Sequence, residues 1–109
     1  MLYKPEPSNY RELLPGVVMK VLTYGDKSML CEFQLKKGAL IPAHQHPAEQ
    51  NGYLIQGSLR FFGDEVETVV TPGCSWDFKG AVVHGAEALE DTVLIEAFSP
   101  VRQEYLSPK

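Results

Sequence analysis

Three histidines are the residues of this chain best suited to hold a metal ion, and two of them stand at positions 44 and 46. Because side chains alternate along a strand, His44 and His46 are expected to point to the same side, where both imidazoles can reach one ion. Gln50 shares their parity and carries an amide oxygen. Two surface histidines that happen to precede a glutamine would look the same, so this pair alone does not define a site.

A single carboxylate near the C-terminus is the second candidate group. Along residues 92–98, alternation places Leu94, Glu96 and Phe98 on one face of a strand, and both faces are apolar apart from Glu96. An unpaired charge in such a place costs several kcal/mol. Glu96 is therefore expected either to form an ion pair with a Lys or Arg, or to take part in chemistry.

Many short strands are expected to position these groups. Nine Gly and eight Pro, spread along 109 residues, favour tight turns over long helices. The pattern predicts about nine strands, at 17–24, 29–35, from 40 onward, 50–56, 59–62, 66–70, 75–78, 82–88 and 92–98. The fold class is therefore all-β, with an N-terminal arm over 1–16, one antiparallel β-barrel over 17–99 and a C-terminal tail over 100–109 that holds at most one short helix.

Composition excludes several classes of partner. The net charge of -4 leaves no basic stripe for nucleic acid or for an anionic membrane. No apolar run is long enough for a signal peptide or a membrane span, so a cytoplasmic location is expected. Cys31 and Cys74 belong to no C-x-x-C motif, and we expect two reduced thiols that act as small hydrophobes.

The spacing around the histidines resembles the two motifs of the cupin proteins, G-x5-H-x-H-x3-E-x6-G and G-x5-P-x-G-x2-H-x3-N. Gly38 stands six residues before His44, and Gly73 stands eleven residues before His84. The resemblance implies a single cupin domain, an antiparallel β-barrel or jelly roll. It also implies one divalent ion held by four side chains, those of His44, His46, Gln50 and His84.

Four residues depart from the motifs, and they matter in two different ways. Lys79, Ala81 and Ala88 replace the Pro, Gly and Asn of the second motif and are expected to affect only loop geometry. Gln50 stands where many cupins have a carboxylate, so the ion would keep its full double charge and would bind an anionic substrate better. Imidazole and amide ligands suit Zn, Ni, Mn, Fe or Co. The parity of Glu49 points it away from this site.

Three segments, IEAFSPVRQEYL, HPAEQNGYLIQG and HGAEALEDT, resemble the small KdgF-like cupins over about residues 17–106. Those proteins convert 4,5-unsaturated monouronates from pectin and alginate breakdown into the linear keto sugar acid. The resemblance implies that Glu96 is the acid or base in place of the usual Asp, that Phe98 is the aromatic residue of the site, and that Arg102 binds the uronate carboxylate. By itself, Arg102 would be read as a solvated surface arginine.

Three functions are compatible with these residues. The first is an enzyme that rearranges an unsaturated uronate or a related sugar acid, with a small anionic sugar as its ligand. The second is a non-catalytic module that binds a sugar or an anion, and the third is a small metal-dependent dioxygenase, which the neutral Gln50 argues against. The proline-rich arm and the apolar edge strands lead us to expect a homodimer.

Overall fold

The computed structural model describes residues 1–64 and 66–106, and these form ten strands and one short helix. The elements are β1 Arg11–Leu14, β2 Val17–Tyr24, β3 Met29–Leu35, β4 Leu40–His44, β5 Glu49–Gln56, β6 Leu59–Gly63, β7 Glu67–Val70, β8 Ser75–Phe78, β9 His84–Ala88, β10 Thr92–Ser99 and α1 Gln103–Leu106. The prediction of an all-β fold is confirmed, and the C-terminal tail contains the one short helix that was allowed for.

The strands form two antiparallel sheets that face each other. The first has six strands in the order β1-β2-β3-β10-β5-β8, and the second has four in the order β4-β9-β6-β7. Neighbours along the chain therefore often belong to different sheets, as in a jelly roll. The connection between β4 and β5 is such a crossing, and it carries one of the three histidines, His46.

Strict alternation of burial along the central strands explains why the sequence folds into two facing layers. In β10, every second residue from Thr92 to Phe98 is buried, and the residues between them are half-buried. The partner strand β3 shows the same alternation from Met29 to Leu35. The inner faces enclose a core to which both sheets contribute, including Val17, Met19, Met29, Cys31, Phe33, Leu35, Leu54, Leu59, Phe61, Ala86, Ala88, Leu94 and Phe98.

Strand β1 was not predicted, since it lies within the segment 1–16 that was read as an arm. It extends the six-stranded sheet by pairing antiparallel with β2, where Arg11 stands opposite Met19. Five predicted bounds also differ: β9 begins two residues late, at His84, and β7 one residue late, at Glu67. Strand β5 begins one residue early, at Glu49, and β6 and β10 end one residue later than predicted, at Gly63 and Ser99. In the described part of the chain, no helix is both long and apolar enough to cross a membrane.

Candidate metal centre

The three histidines come from separate places along the chain and meet at one end of the sandwich. His44 is the last residue of β4 and stands directly opposite His84, the first residue of β9. His46 lies two residues beyond the end of β4. One ligand nitrogen from each imidazole can be chosen so that all three lie within 4.8 Å of one another.

The predicted reason for this convergence was partly wrong. His44, His46 and Gln50 do not share one strand, because β4 ends at His44 and Gln50 belongs to β5 in the other sheet. Pro47, which has no N–H to donate to a ladder, lies in the crossing between the sheets. Strands β4 and β5 and the connection between them bring His44, His46 and Gln50 together. Strand parity does not account for this arrangement. Glu49 is exposed and lies outside the cluster, as expected.

Each imidazole is held in the same way by a backbone carbonyl two residues away. The Nδ1 atoms of His44, His46 and His84 lie 2.9, 2.7 and 2.8 Å from the carbonyl oxygens of residues 42, 48 and 82, respectively. A carbonyl oxygen only accepts, so each Nδ1 carries the hydrogen and donates it. Each Nε2 therefore carries the lone pair of its ring, which is the arrangement found in metal-binding histidines.

Burial keeps two of these rings neutral. Burial is the main cause that lowers the pKa of His84 to about 4, and the nearby charges of His44, His46 and Arg102 lower it further. The pKa of His46 is also lowered, first by burial and then by Arg102. Both rings are therefore neutral at pH 7 and able to offer a lone pair to a cation.

Gln50 completes the cluster with an oxygen atom. Its Nε2 donates to the Glu96 carboxylate at 2.6 Å, which turns its Oε1 toward His46. That oxygen lies 2.8 Å from His46 Nε2. Since the Nδ1 of His46 holds the ring hydrogen, the two facing atoms are both acceptors, and a cation bound by both would satisfy them.

The donor set thus fits a divalent transition metal. Two nitrogens that bind one ion at about 2.1 Å are at most about 4.2 Å apart, so the histidine cluster needs only a small closure around an ion. Three neutral imidazoles suit Zn, Ni, Mn, Fe or Co, and an amide oxygen suits the same group. The cluster of His44, His46 and His84 is able to bind a metal.

Glu96 lies directly behind Gln50 and is only 8% exposed. Its Oε2 accepts hydrogen bonds from Gln50 Nε2 and, at 2.9 Å, from the indole Nε1 of Trp76. Both of these donors are neutral groups. Burial raises the pKa of Glu96 to about 7, although these hydrogen bonds and the charge of Arg102 act in the opposite direction. The carboxyl group can therefore gain or lose a proton near neutral pH.

Trp76 reaches Glu96 by crossing a neighbouring strand at a glycine. Glu96 on β10 stands opposite Gly52 on β5, and Gly52 stands opposite Trp76 on β8. A Cβ atom on Gly52 would lie 2.2 Å from Trp76 Nε1 and Cε2. The missing side chain therefore provides the space through which the indole passes over β5 to the carboxylate.

Arg102 and Phe98 lie beside the histidine cluster. The Phe98 ring is 5.9 Å from the His46 ring, edge to face, and the Arg102 guanidinium lies 5.2 Å from the centroid of the Phe98 ring. The Arg102 side chain is 13% exposed and forms an ion pair with Glu104 at 3.0 Å. The solvated surface position that an isolated arginine would suggest does not apply, because the Arg102 side chain is mostly buried and lines the cavity.

One cavity of about 330 Å³ is lined by several of the residues described above. Its polar lining comes from six side chains, those of His44, Gln50, His84, Glu96, Arg102 and Tyr105. The remaining lining is mostly apolar and includes Leu13 and Leu14 of the unpredicted strand β1. A mostly apolar cavity with a few convergent polar groups is typical of a small-molecule site.

Comparison with known proteins identifies the family. The Cupin_2 cupin-domain model matches residues 31–98, which is more than half of the chain. The chain belongs to the cupin family. This cupin is 29% identical over 99 residues to the pectin degradation protein KdgF of Dickeya dadantii, which covers 89% of the chain and 90% of that protein.

Two solved structures are similar to this cupin over most of its length. KdgF from a Halomonas species is 28% identical, with a TM-score of 0.84, and the match covers 89% of this chain and 92% of that one. An RmlC-like cupin from Shewanella frigidimarina is 27% identical, with a TM-score of 0.88, over 94% and 93% of the two chains. The resemblance to KdgF-like cupins that was read from the sequence motifs is confirmed.

Sequence reasoning missed Trp76, which donates to Glu96, and Tyr105, which lines the cavity. Trp76 is the one tryptophan of the chain, and a partly buried indole N–H requires an acceptor. That requirement was a usable signal, but the acceptor is twenty residues away in sequence. Tyr105 lies in a four-residue helix, which carries no periodic signal.

Proposed function

We propose that this cupin converts a 4,5-unsaturated uronate into the linear 5-keto-4-deoxyuronate by metal-assisted acid-base chemistry. The observation that carries the proposal is one cavity lined by His44 and His84 of a histidine cluster able to bind a metal, by a carboxyl group with a pKa of about 7 and by an arginine. A uronate offers a matching set of groups, namely oxygens for a cation, protons to be moved and a carboxylate for an arginine. The similarity to the pectin degradation protein KdgF of Dickeya dadantii supports this choice of substrate.

We assign the metal site to His44, His46, His84 and Gln50. A divalent ion on these four neutral ligands would supply a Lewis acid that polarises the oxygens of a bound sugar. The chain's own contribution is the orientation of these ligands through three carbonyl groups and through Glu96, which directs the amide of Gln50.

The proton transfers are assigned to Glu96. In the reaction, the hydroxyl at C1 loses a proton, the bond from C1 to the ring oxygen breaks and that oxygen gains a proton, which gives an aldehyde at C1 and an enol at C5. C4 then gains a proton while the enol oxygen loses its own to become the C5 ketone, so the net change is an isomerisation without oxidation. Oε2 of Glu96 is already held by two donors, and we assign the transfers to Oε1.

Arg102 and Phe98 are assigned to binding. The guanidinium is fixed against two aromatic rings in the cavity, and it would bind the uronate carboxylate. The Phe98 ring lies between Arg102 and His46 and would pack against the face of the sugar.

A turnover assay tests the proposal. The substrate is 4,5-unsaturated galacturonate, and the loss of its ultraviolet absorbance is compared with the spontaneous loss in buffer, with the product identified by NMR. We expect acceleration by the purified protein and none by the His44→Ala/His46→Ala variant, which should also have lost stoichiometric metal. A wild-type rate equal to that of buffer would refute the proposed reaction and would favour the non-catalytic binding module.

A further inference from the structure

The Arg102 guanidinium is held by three hydrogen bonds. Nε and Nη2 donate to Glu104 Oε2 at 3.3 and 3.0 Å, and Nη1 donates to the Tyr105 hydroxyl at 2.7 Å. A guanidinium has five N–H groups, of which Nε carries one and each Nη carries two. Among the described residues these contacts use three, so one N–H remains on Nη1 and one on Nη2.

The two remaining N–H groups are suited to one kind of ligand. A carboxylate has two oxygens that accept parallel hydrogen bonds from the two Nη atoms of an arginine. A neutral sugar hydroxyl does not offer that pair of acceptors. The free pair of N–H groups on Arg102 is therefore suited to selecting a sugar acid over a neutral sugar.

Tyr105 is a rigid support for this guanidinium. The Arg102 Cζ lies 4.3 Å from the centroid of the Tyr105 ring, and the ring packs edge to face on Phe33 at 6.2 Å and on Phe98 at 5.7 Å. On β1, the Arg11 guanidinium lies 5.9 Å from the same ring and donates to the backbone carbonyl of residue 104. Residues of β3, β10 and β1 thus fix the position of the Tyr105 phenol.

We infer that Tyr105 is a positioning residue that orients Arg102 toward a carboxylate, and that it thereby selects acidic over neutral sugars in this cavity. The inference rests on the proposed function, because it takes Arg102 as the group that binds the uronate carboxylate. The hydroxyl of Tyr105 takes up one N–H of Nη1 and leaves the other, together with the remaining N–H of Nη2, for a ligand.

The test is a double-mutant cycle on ligand binding. Calorimetry measures the binding of galacturonate and of its methyl ester to the metal-loaded protein, which needs no turnover. We expect Tyr105→Phe to weaken galacturonate binding about fivefold, the effect of one hydrogen bond, and to leave the ester unchanged. Tyr10→Phe is the matched control, since it removes a tyrosine hydroxyl that bonds Glu32 away from the cavity.

Arg102→Ala separates positioning from a general structural role. We expect this variant to weaken galacturonate binding at least about tenfold, and Tyr105→Phe to cause no further loss when added to it. An equal loss in both backgrounds, or no loss from Tyr105→Phe alone, would overturn the inference while the role of Arg102 stands. Undiminished binding by Arg102→Ala, or no binding by the wild type, would overturn both the role of Arg102 and the inference about Tyr105. The turnover assay tests the proposed reaction separately.

Discussion

Replacing Glu96 with Gln should stabilise the metal-free protein at high pH. In the unfolded chain the carboxyl has its ordinary pKa of 4.5, and burial raises the pKa to about 7 in the folded protein. Between these two values the folded state binds more protons, so the wild type loses stability as the pH rises from 4.5 to 7. The difference of about 2.5 pKa units corresponds to about 3 kcal/mol.

Glutamine cannot ionise, but its side-chain oxygen can still accept the hydrogen bonds from Gln50 and Trp76. The free energy of unfolding of Glu96→Gln should therefore match that of the wild type near pH 4.5 and exceed it by up to about 3 kcal/mol above pH 7. Denaturant unfolding in the presence of a chelator measures this difference at each pH. Glu49→Gln, which alters an exposed carboxylate on β5, is the control.

The opposite sign would refute the reasoning. If Glu96 were half of a buried ion pair, Glu96→Gln would be less stable than the wild type above pH 7, by about 3–5 kcal/mol. In the metal-loaded protein the same variant should keep its metal and its fold but lose turnover, because it has no group to transfer a proton. A stable Glu96→Gln variant with unimpaired turnover would remove this carboxyl from the mechanism.

The remaining predictions concern two neighbours of Glu96. Gln50→Glu should retain stoichiometric metal but bind galacturonate more weakly by calorimetry, because it places a negative charge at the ion; unchanged or tighter binding would contradict the role of the neutral ligand. Gly52→Ala should lower the unfolding free energy by about 1–3 kcal/mol and alter the fluorescence of Trp76, since the new Cβ would lie 2.2 Å from the indole ring. A Gly52→Ala variant with wild-type stability and fluorescence would contradict this, because it would show that the Trp76 indole reaches Glu96 without the space at position 52.

The histidine cluster could be predicted from the sequence because the spacing of its residues matches a known motif. The burial of Glu96 could be predicted as well, since a β-strand has a side-chain period of two and the other residues on that face are apolar. Ala81 shows how a departure from the motif is absorbed. Its φ of 68° is a left-handed conformation that a glycine, as in the motif, adopts freely, and Ala81 adopts it here.

The contacts that arise between strands far apart in sequence could not be predicted. Trp76 reaches Glu96 only because β8, β5 and β10 are neighbours in one sheet, and strand order is not visible in any local pattern. Strand parity was the wrong explanation for the proximity of His44 and Gln50 for the same reason, since the chain passes from one sheet to the other between them. The homodimer and the cytoplasmic location stay predictions.

Restoring metal to the stripped protein tests the central claim most directly. The claim is that one divalent ion in this histidine site supports the isomerisation of an unsaturated uronate. Protein treated with a chelator should turn over 4,5-unsaturated galacturonate no faster than buffer, and its activity should rise with added ion and reach a plateau at one ion per chain. Full activity in protein shown by elemental analysis to contain no metal would contradict the account.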